Sequence, residues 1–413
     1  MSTTGYYVED DATITKPSFC RNLKYHSDTV SMLAFNSNNK QLVSSSFDNH
    51  VLIWDLTNPS KKPLIGEGHK SLINDISLSP SGFMFATASS DHTVRIWSNT
   101  NDYSSQEGKI QSQVIKFNSA PVKSVDFSCD SRLICTGSDD KSVKIISVAD
   151  KKLQANLTNA HKNWVKCTRF SRDSKIIASS SDDKTLKIWD VTKKTLCYTF
   201  EKEHKGPVNC VRFHPDNSCL ATACYDGKIR LFDIRSKQLV QTYPYHTRPA
   251  ICVAFHPSGN FLASTSYDEC IKLYDLRMGD ILFTLKAHEG AVTSIAFSTF
   301  GDYFATGGLD SNIVVWESNL EQYMELGQDD VYNNNEVINL TTSKPFNEET
   351  KLNYKNKMMK ESYTRMNNDK DNASEGLTKI FDKMVSQMDM ITSSFLNFEQ
   401  RVSKMEEMLD EMN

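Results

Sequence analysis

Short runs of alternating apolar and polar residues, separated by turn residues, fill the first three quarters of the chain. Residues 72–117 show four such runs, LINDISL, FMFATAS, TVRIWS and QVIKF, with Ser, Pro, Gly and Asp between them. Alternation with a period of two predicts half-buried β-strands, and clustered turn residues predict tight connections. The same four runs recur along residues 18–317, so this part of the chain is predicted to be all-β.

The runs belong to a repeat that an aspartate marks in every copy. The seven aspartates are Asp48, Asp91, Asp140, Asp183, Asp226, Asp268 and Asp310. Their intervals are 43, 49, 43, 43, 42 and 42 residues, and a polar insertion at 99–113 accounts for the long one. A Ser or Thr comes four residues before each aspartate, and an aromatic residue or Ile comes six residues after it. This period resembles that of WD40 repeats, which implies a seven-bladed WD40 β-propeller with four strands per blade.

A histidine precedes the aspartate in six of the seven copies. The histidine positions are His26, His69, Asn118, His161, His204, His246 and His288. In WD40 proteins the His, Ser/Thr, Asp and Trp positions form a hydrogen-bonded network inside each blade, and a satisfied buried network rigidifies. A Ser-His-Asp catalytic triad is the rival interpretation, but a hydrolase needs one triad rather than seven equivalents. We therefore expect no enzymatic activity, no metal and no cofactor, and we expect blade 3, with Asn118 and Ile146, to be the least well tied.

The ends of the repeat region predict how the ring closes. In blades 1–6 a fourth strand follows the Trp position, whereas no comparable run follows Trp316. Residues 18–24 alternate before His26 and precede the first copy. We therefore expect an N-terminal extension at 1–17 and a propeller at 18–317, in which 18–24 forms the outer strand of blade 7.

The last hundred residues change in character. Residues 318–373 are polar without a sustained apolar period, which predicts a flexible linker. Apolar residues at alternating steps of four and three predict an α-helical coiled coil over 374–413. They are Leu377, Phe381, Met384, Met388, Ile391, Phe395, Phe398, Val402, Met405, Leu409 and Met412. A parallel homodimer is favoured, while a trimer, a docked partner, or a helix packed on the propeller remain alternatives.

Charge and cysteine content narrow the partners. The net charge is −4, made of +4 in residues 1–316 and −8 from Glu317 onward. With a net charge of +4, residues 1–316 are too weakly basic for a nucleic-acid-binding protein. This charge is compatible with an acidic protein partner. No apolar run spans a membrane and no secretory signal begins the sequence, so we expect a cytoplasmic protein with reduced thiols. Cys167, Cys210 and Cys252, at equivalent repeat positions, are expected to be small buried core residues.

The tail adds a more specific resemblance. Gln387, Met388, Asp389, Thr392, Glu399, Gln400, Arg401, Glu407 and Leu409 resemble the C-terminal coiled coil of the proteome-of-centriole family of centriolar WD40 proteins. The order of propeller, polar linker and coiled coil is also similar. The Phe- and Met-rich seam departs from the Leu, Val and Ile expected there. The resemblance implies a structural protein of centrioles and basal bodies in the cytoskeleton, which supports the triplet microtubule wall and ciliogenesis and contacts tubulin and centriolar proteins.

Other WD40 scaffolds are the runner-up, namely a ubiquitin-ligase substrate receptor or a katanin-type microtubule regulator. By WD40 analogy, partner-binding side chains lie on the upper face of the propeller, defined here as the face that carries the His and Asp positions. These candidates are Phe47, Lys123, Trp164, Lys166, Tyr225 and Tyr267. Exposed aromatic side chains beside cations are common at binding hot spots. The alternative is that the aromatic residues pack against neighbouring loops.

Overall fold

The computed structural model describes residues 16–58, 60–99, 110–158, 160–324 and 337–339. It contains seven sheets, each with four antiparallel strands, and the sheet of one blade carries a fifth strand. The predicted seven-bladed all-β propeller is therefore confirmed. No helix in these ranges is long and apolar enough to cross a membrane.

The strands of blades 1–3 follow one another in sequence order from the inside of each blade outward. They are β2 (Val30–Phe35), β3 (Gln41–Ser46), β4 (Val51–Asp55), β5 (Leu64–Gly66), β6 (Ile73–Leu78), β7 (Met84–Ser89), β8 (Val94–Ser98), β9 (Ser112–Ile115), β10 (Val122–Phe127), β11 (Leu133–Ser138), β12 (Val143–Ser147) and β13 (Leu153–Leu157).

Blades 4–7 repeat this order. Their strands are β14 (Val165–Phe170), β15 (Ile176–Ser181), β16 (Leu186–Asp190), β17 (Thr195–Phe200), β18 (Val208–Phe213), β19 (Cys219–Cys224), β20 (Ile229–Asp233), β21 (Gln238–Tyr243), β22 (Ala250–Phe255), β23 (Phe261–Ser266), β24 (Cys270–Asp275), β25 (Asp280–Lys286), β26 (Val292–Phe297), β27 (Tyr303–Gly308) and β28 (Asn312–Glu317).

Burial falls from the second strand of a blade to its outer strand. Every residue of β3 and of β23 is buried, whereas the outer strand β13 has none that is fully buried. Small residues fill the second strands, because these pack between two neighbouring sheets where close approach is needed. Cys167, Cys210 and Cys252 lie in the same core on the inner strands, which confirms the expectation for these thiols.

Blade 7 combines both ends of the propeller sequence. The strand β1, Ser18–Lys24, pairs antiparallel with β28, with Phe19 opposite Trp316 and Leu23 opposite Ile313. The sheet order is β1-β28-β27-β26, so β1 is the outer strand. Ring closure therefore uses backbone hydrogen bonds between residues about three hundred positions apart.

The residues directly after β28 pack against blade 6. A short 3-10 helix spans Glu321–Met324, and the side chains of Leu320 and Tyr323 are buried in the main core. Tyr323 meets Phe283 edge-on at 5.5 Å, and its carbonyl accepts a hydrogen bond from Arg277. A further strand, β29 (Val337–Asn339), pairs parallel with β25. Two apolar residues of this polar stretch therefore pack in the main core. The linker predicted over 318–373 lies largely outside the described ranges and stays a prediction.

The inner strand of blade 3 is tied to both neighbours by buried polar groups. Arg169 of blade 4 reaches past blade 3 to Asp75 of blade 2, with guanidinium-to-carboxylate distances of 2.7 and 3.0 Å. Between them, the Val125 N–H donates to Asp75 and its carbonyl accepts from Arg169. We call Asp75, Val125 and Arg169 the clamp.

Candidate protein-binding face

The seven repeat aspartates build the same turn in every blade. One carboxylate oxygen accepts the N–H of the residue two positions later, at 2.9–3.1 Å. The residue between them has a positive φ of 60–77°. Six of these seven residues are not glycine, and the side-chain hydrogen bond offsets the strain of that conformation. The second carboxylate oxygen accepts the N–H that follows the His position, so each aspartate joins two loops of the upper face.

Five blades complete the predicted network. In blades 1, 2, 4, 6 and 7 the His Nδ1 lies 2.8–3.0 Å from the aspartate. The Nε2 lies 2.6–2.9 Å from the Ser or Thr hydroxyl. Because an ionised carboxylate only accepts, Nδ1 carries the proton and the hydroxyl donates to Nε2. Burial opposes ionisation of Asp48, but the hydrogen bond and charge of His26, together with the backbone N–H groups of His50 and Ser27, outweigh it and lower the pKa to about 2.

The residue at the Trp position decides how the hydroxyl is held. In blades 1, 2, 4 and 7 the indole N–H donates to it at 2.8–3.2 Å. In blade 6 the Tyr274 hydroxyl lies 3.0 Å from Ser264 and takes the place of the indole. A tyrosine at the Trp position can therefore replace the indole as hydrogen-bond partner of the Ser hydroxyl. The sequence alone did not indicate this.

Blades 3 and 5 lack the network. In both blades a cationic side chain forms an ion pair with the repeat aspartate. Lys144 lies 2.6 Å from Asp140 in blade 3, as expected for the blade without a histidine. In blade 5 the Arg230 guanidinium binds Asp226 at 2.7 and 3.1 Å, and His204 Nε2 has no partner among the described residues. Burial and the Arg230 charge lower the pKa of His204 to about 3. Blade 5 has a histidine and yet lacks the network, because a bidentate guanidinium outcompetes the imidazole for the carboxylate.

Two local devices arrange the upper face identically in all blades. The residue before each aspartate donates its N–H to the carbonyl three residues after the His position, at 2.8–3.0 Å. A β-bulge follows the first residue of each inner strand, as between Val165 and Cys167. The bulged residue, such as Lys166, is left out of the ladder, and a bulge re-aims a side chain. Three positions per blade therefore meet on this face.

The structure places the six candidates at these positions. Trp164, Tyr225 and Tyr267 are exposed, with 47%, 57% and 45% of their surfaces accessible. Phe47 is half-buried, as are Lys123 and Lys166. The three exposed aromatic residues lie on the consecutive blades 4, 5 and 6.

The two lysines differ from the free cations that the sequence suggested. Lys123 lies 3.7 Å from Asp139, and Lys166 lies 3.4 Å from Asp182. Lys166 also stands over the Trp164 ring at 5.7 Å from the centroid. Each lysine is thus compensated by the carboxylate that precedes the repeat aspartate. At these positions the upper face therefore offers aromatic surface beside paired charges.

Two apolar residues at the same positions escaped the sequence prediction. Leu309 precedes Asp310 on blade 7, and Leu72 lies three residues after His69 on blade 2; both are exposed. The positional rule that selected Tyr225 and Trp164 also selects these two leucines. They were missed because the sequence prediction considered only aromatic and cationic side chains. We call Trp164, Tyr225, Tyr267 and Leu309, on blades 4 to 7, the apolar arc.

The remaining predicted residues lie outside the described ranges. These are the coiled-coil positions Phe381, Met384, Met388, Ile391, Phe395, Phe398, Val402, Met405 and Leu409. Within the described ranges, no group of three or more His, Cys, Asp or Glu side chains could hold a metal ion.

The repeat region matches a known protein family. The family described as WD40, "WD domain, G-beta repeat", matches residues 17–55, 61–98, 110–147, 151–190, 194–233, 237–275 and 279–317. Similar curated proteins include the small ribosomal subunit protein RACK1y of Oryza sativa subsp. japonica, 32% identical over 30% of this chain. The pre-mRNA-processing factor 19 of Caenorhabditis elegans is 28% identical over 32%, and the ribosome biogenesis protein YTM1 of Saccharomyces cerevisiae is 27% identical over 35%. The chain spans 35%, 25% and 34% of these relatives.

Proposed function

Because the chain belongs to the WD40 repeat family, we propose that it is a non-catalytic scaffold that binds a protein partner through the apolar arc. The observation that carries this proposal is the exposure of three large aromatic side chains on consecutive blades of one face. Aromatic residues that are held rigid before binding lose little conformational entropy, and they dominate many protein interfaces.

The geometry of the repeated networks favours a scaffold over a hydrolase. Each Ser or Thr hydroxyl in the five complete networks is buried and already bonded to a histidine and an indole or phenol. A nucleophile must reach substrate, whereas these hydroxyls are enclosed between two sheets. Their role is to hold the loops that display the apolar arc.

We further propose a place at centrioles and basal bodies, with tubulin as the partner and the tail as the self-associating part. This rests on the resemblance of residues 375–411 to the coiled coil of centriolar WD40 proteins. The relatives reported above are named for ribosomes and pre-mRNA processing. They support a scaffold in a large assembly and are neutral about centrioles.

The partner contact can be tested with purified tubulin and the full chain. Trp164→Ala combined with Tyr225→Ala should weaken co-sedimentation with microtubules by about tenfold or more, because truncating a hot spot costs about 2 kcal/mol. Phe83→Ala with Phe300→Ala is the matched control. These two phenylalanines are even more exposed, at 72% and 67%, but lie on hairpin turns of the lower face. Equal binding by both double variants would exclude the apolar arc.

The proposed location and self-association need the chain in cells. A fluorescent fusion in a dividing, ciliated cell should concentrate at centrioles and exchange slowly after photobleaching. Deleting residues 374–413 should speed the exchange, because a tethered second copy raises avidity by about 10²–10⁴-fold. A diffuse signal from the full chain would refute the centriolar proposal and leave the scaffold proposal standing.

A further inference from the structure

The ring axis ends in a cavity at the lower face, defined as the face opposite the His and Asp positions. Its volume is about 420 Å³, and all seven inner strands line it. Cavities of this size accommodate small ligands or single side chains of a partner. We call it the axial cavity.

One equivalent residue from each blade forms a ring around the axial cavity. Counting four residues on from the first residue of each inner strand, these are Ala34, Ser77, Asp126, Arg169, Arg212, Ala254 and Ala296. The three alanines come from the adjacent blades 6, 7 and 1, and the polar residues come from blades 2 to 5. The wall is therefore apolar on one side and charged on the other.

Most of the charged wall is already paired. Arg169 is bound by Asp75 in the clamp. Asp126 accepts hydrogen bonds from the Phe170 N–H and the Ser77 hydroxyl, at 2.8 and 2.9 Å. These hydrogen bonds and the ion pair connect blades 2, 3 and 4, so their role is to stabilise the ring.

Arg212 is different. It is half-buried, and its one hydrogen bond among the described residues is to the Cys167 thiol, at 3.9 Å. No carboxylate in the described part of the chain lies within ion-pairing distance of it. The guanidinium of Arg172, on the rim, has one hydrogen bond among the described residues, to the Pro215 carbonyl at 3.3 Å. A guanidinium has five donors and prefers a planar, bidentate anion.

The charge balance indicates the size of that anion. Arg169, Arg172, Arg212 and Asp126 line the cavity, and Asp75, which does not line it, pairs with Arg169. These five groups together carry one positive charge in excess. A dianionic phosphate would exceed this charge and would meet the Asp126 carboxylate. A single carboxylate matches the excess, and the alanine side of the wall has room for apolar atoms.

We infer that the axial cavity binds a carboxylate carried on an apolar body, with the anion on Arg212 and the body against Ala34, Ala254 and Ala296. The source is either a free organic acid or an acidic side chain flanked by apolar residues in a peptide. This site lies on the face opposite the apolar arc and does not depend on the proposed function.

Calorimetric titration of the full chain at neutral pH tests the inference. The probes are octanoate and the capped peptide acetyl-Ala-Phe-Glu-Phe-Ala-amide. Their neutral counterparts are octanamide and the peptide with Gln in place of Glu. At least one acid should bind with one site per chain, and its neutral counterpart should bind about tenfold to hundredfold more weakly, as for loss of a hydrogen bond to a charged group. Octanoate alone or peptide alone would identify the source.

Arg212→Gln should lose the acid to the same extent, and Arg212→Lys, which keeps the charge, should retain part of the affinity. Arg235→Gln is the matched control, because Arg235 is exposed on a turn of the same blade and does not line the cavity. Circular dichroism establishes that each variant is folded. Failure of both acids to bind wild-type protein, or unchanged binding by folded Arg212→Gln, would overturn the inference.

Discussion

At the residue scale, the repeat aspartate does several tasks at once. Asp48 holds its own turn, the loop that contains His26, and the imidazole of that histidine. In blades 3 and 5 the imidazole bond is missing, yet Asp140 and Asp226 keep the two backbone bonds. The turn is therefore the part common to all seven blades. This explains why the aspartate alone recurs without substitution, while the His and Trp positions vary.

The burial of neutral histidines has a consequence for stability in acid. Burial lowers the pKa of His204 to about 3, and burial also lowers the pKa of His69, His161 and His246. Between the ordinary value of about 6.5 and the folded value, the unfolded chain binds a proton that the folded chain does not. The free energy of unfolding therefore decreases as the pH falls below about 6.5.

His204→Leu isolates one part of this effect. For a single group with these two pKa values, the loss between pH 7 and pH 5 is about 2 kcal/mol. Urea unfolding at the two pH values should show a smaller loss for His204→Leu than for wild-type protein by about that amount. His92→Asn is the control, because His92 is exposed and its positive φ suits asparagine. An identical pH dependence in wild-type protein and His204→Leu would contradict the assignment.

At the scale of strands, blade 3 compensates for its missing network at the ring axis. Its inner strand β10 bonds to blade 2 through Val125 and Phe127, and to blade 4 through Ser124. The clamp adds an ion pair whose partners are both buried. Blade 3 is thus weak at its upper loop and strongly held at its inner edge.

Removing one charged partner of the clamp should lower the stability of the fold more than removing both charges. Arg169→Met leaves Asp75 buried without a counter-ion, which costs about 3–5 kcal/mol. Adding Asp75→Asn should recover part of the loss, because Asn keeps an acceptor for the Val125 N–H. Arg132→Met, in an exposed pair with Asp130 on blade 3, should leave stability nearly unchanged.

Chemical unfolding of the four proteins measures these differences. If Arg169→Met were no less stable than Arg132→Met, the clamp would contribute nothing. If the double variant were less stable than Arg169→Met, the unpaired charge would not be the cause of the loss.

At the scale of the whole molecule, closure by β1 makes the ring depend on both ends of the propeller sequence. Deleting residues 1–25 should uncover the edge of β28, which promotes pairing with other chains. Light scattering should show larger species, and the thermal midpoint should fall. Deleting residues 1–15 leaves β1 in place and is the control. A monodisperse 1–25 deletion with the wild-type midpoint would show that closure does not need β1.

Much of this architecture could be predicted from the sequence, because it depends on periodic patterns of nearby residues. The alternation of apolar residues predicts strands, and the spacing of the aspartates predicts seven blades. The lack of a fourth strand after Trp316 predicts that 18–24 supplies it. Positions within a blade follow from the same count, so the sites of Trp164, Tyr225 and Tyr267 on the upper face could be derived without coordinates.

Only the tertiary structure decided which groups compete for one another. Arg230 displaces His204 from Asp226, and Asp182 neutralises Lys166. Arg169 and Asp75 meet across 94 residues. Leu320 and Tyr323 are buried in the main core, although they lie in a polar stretch of the sequence. A periodic pattern specifies strands because each strand needs only its own residues, whereas a charge or an isolated apolar side chain is placed by neighbours that the folded ring brings together.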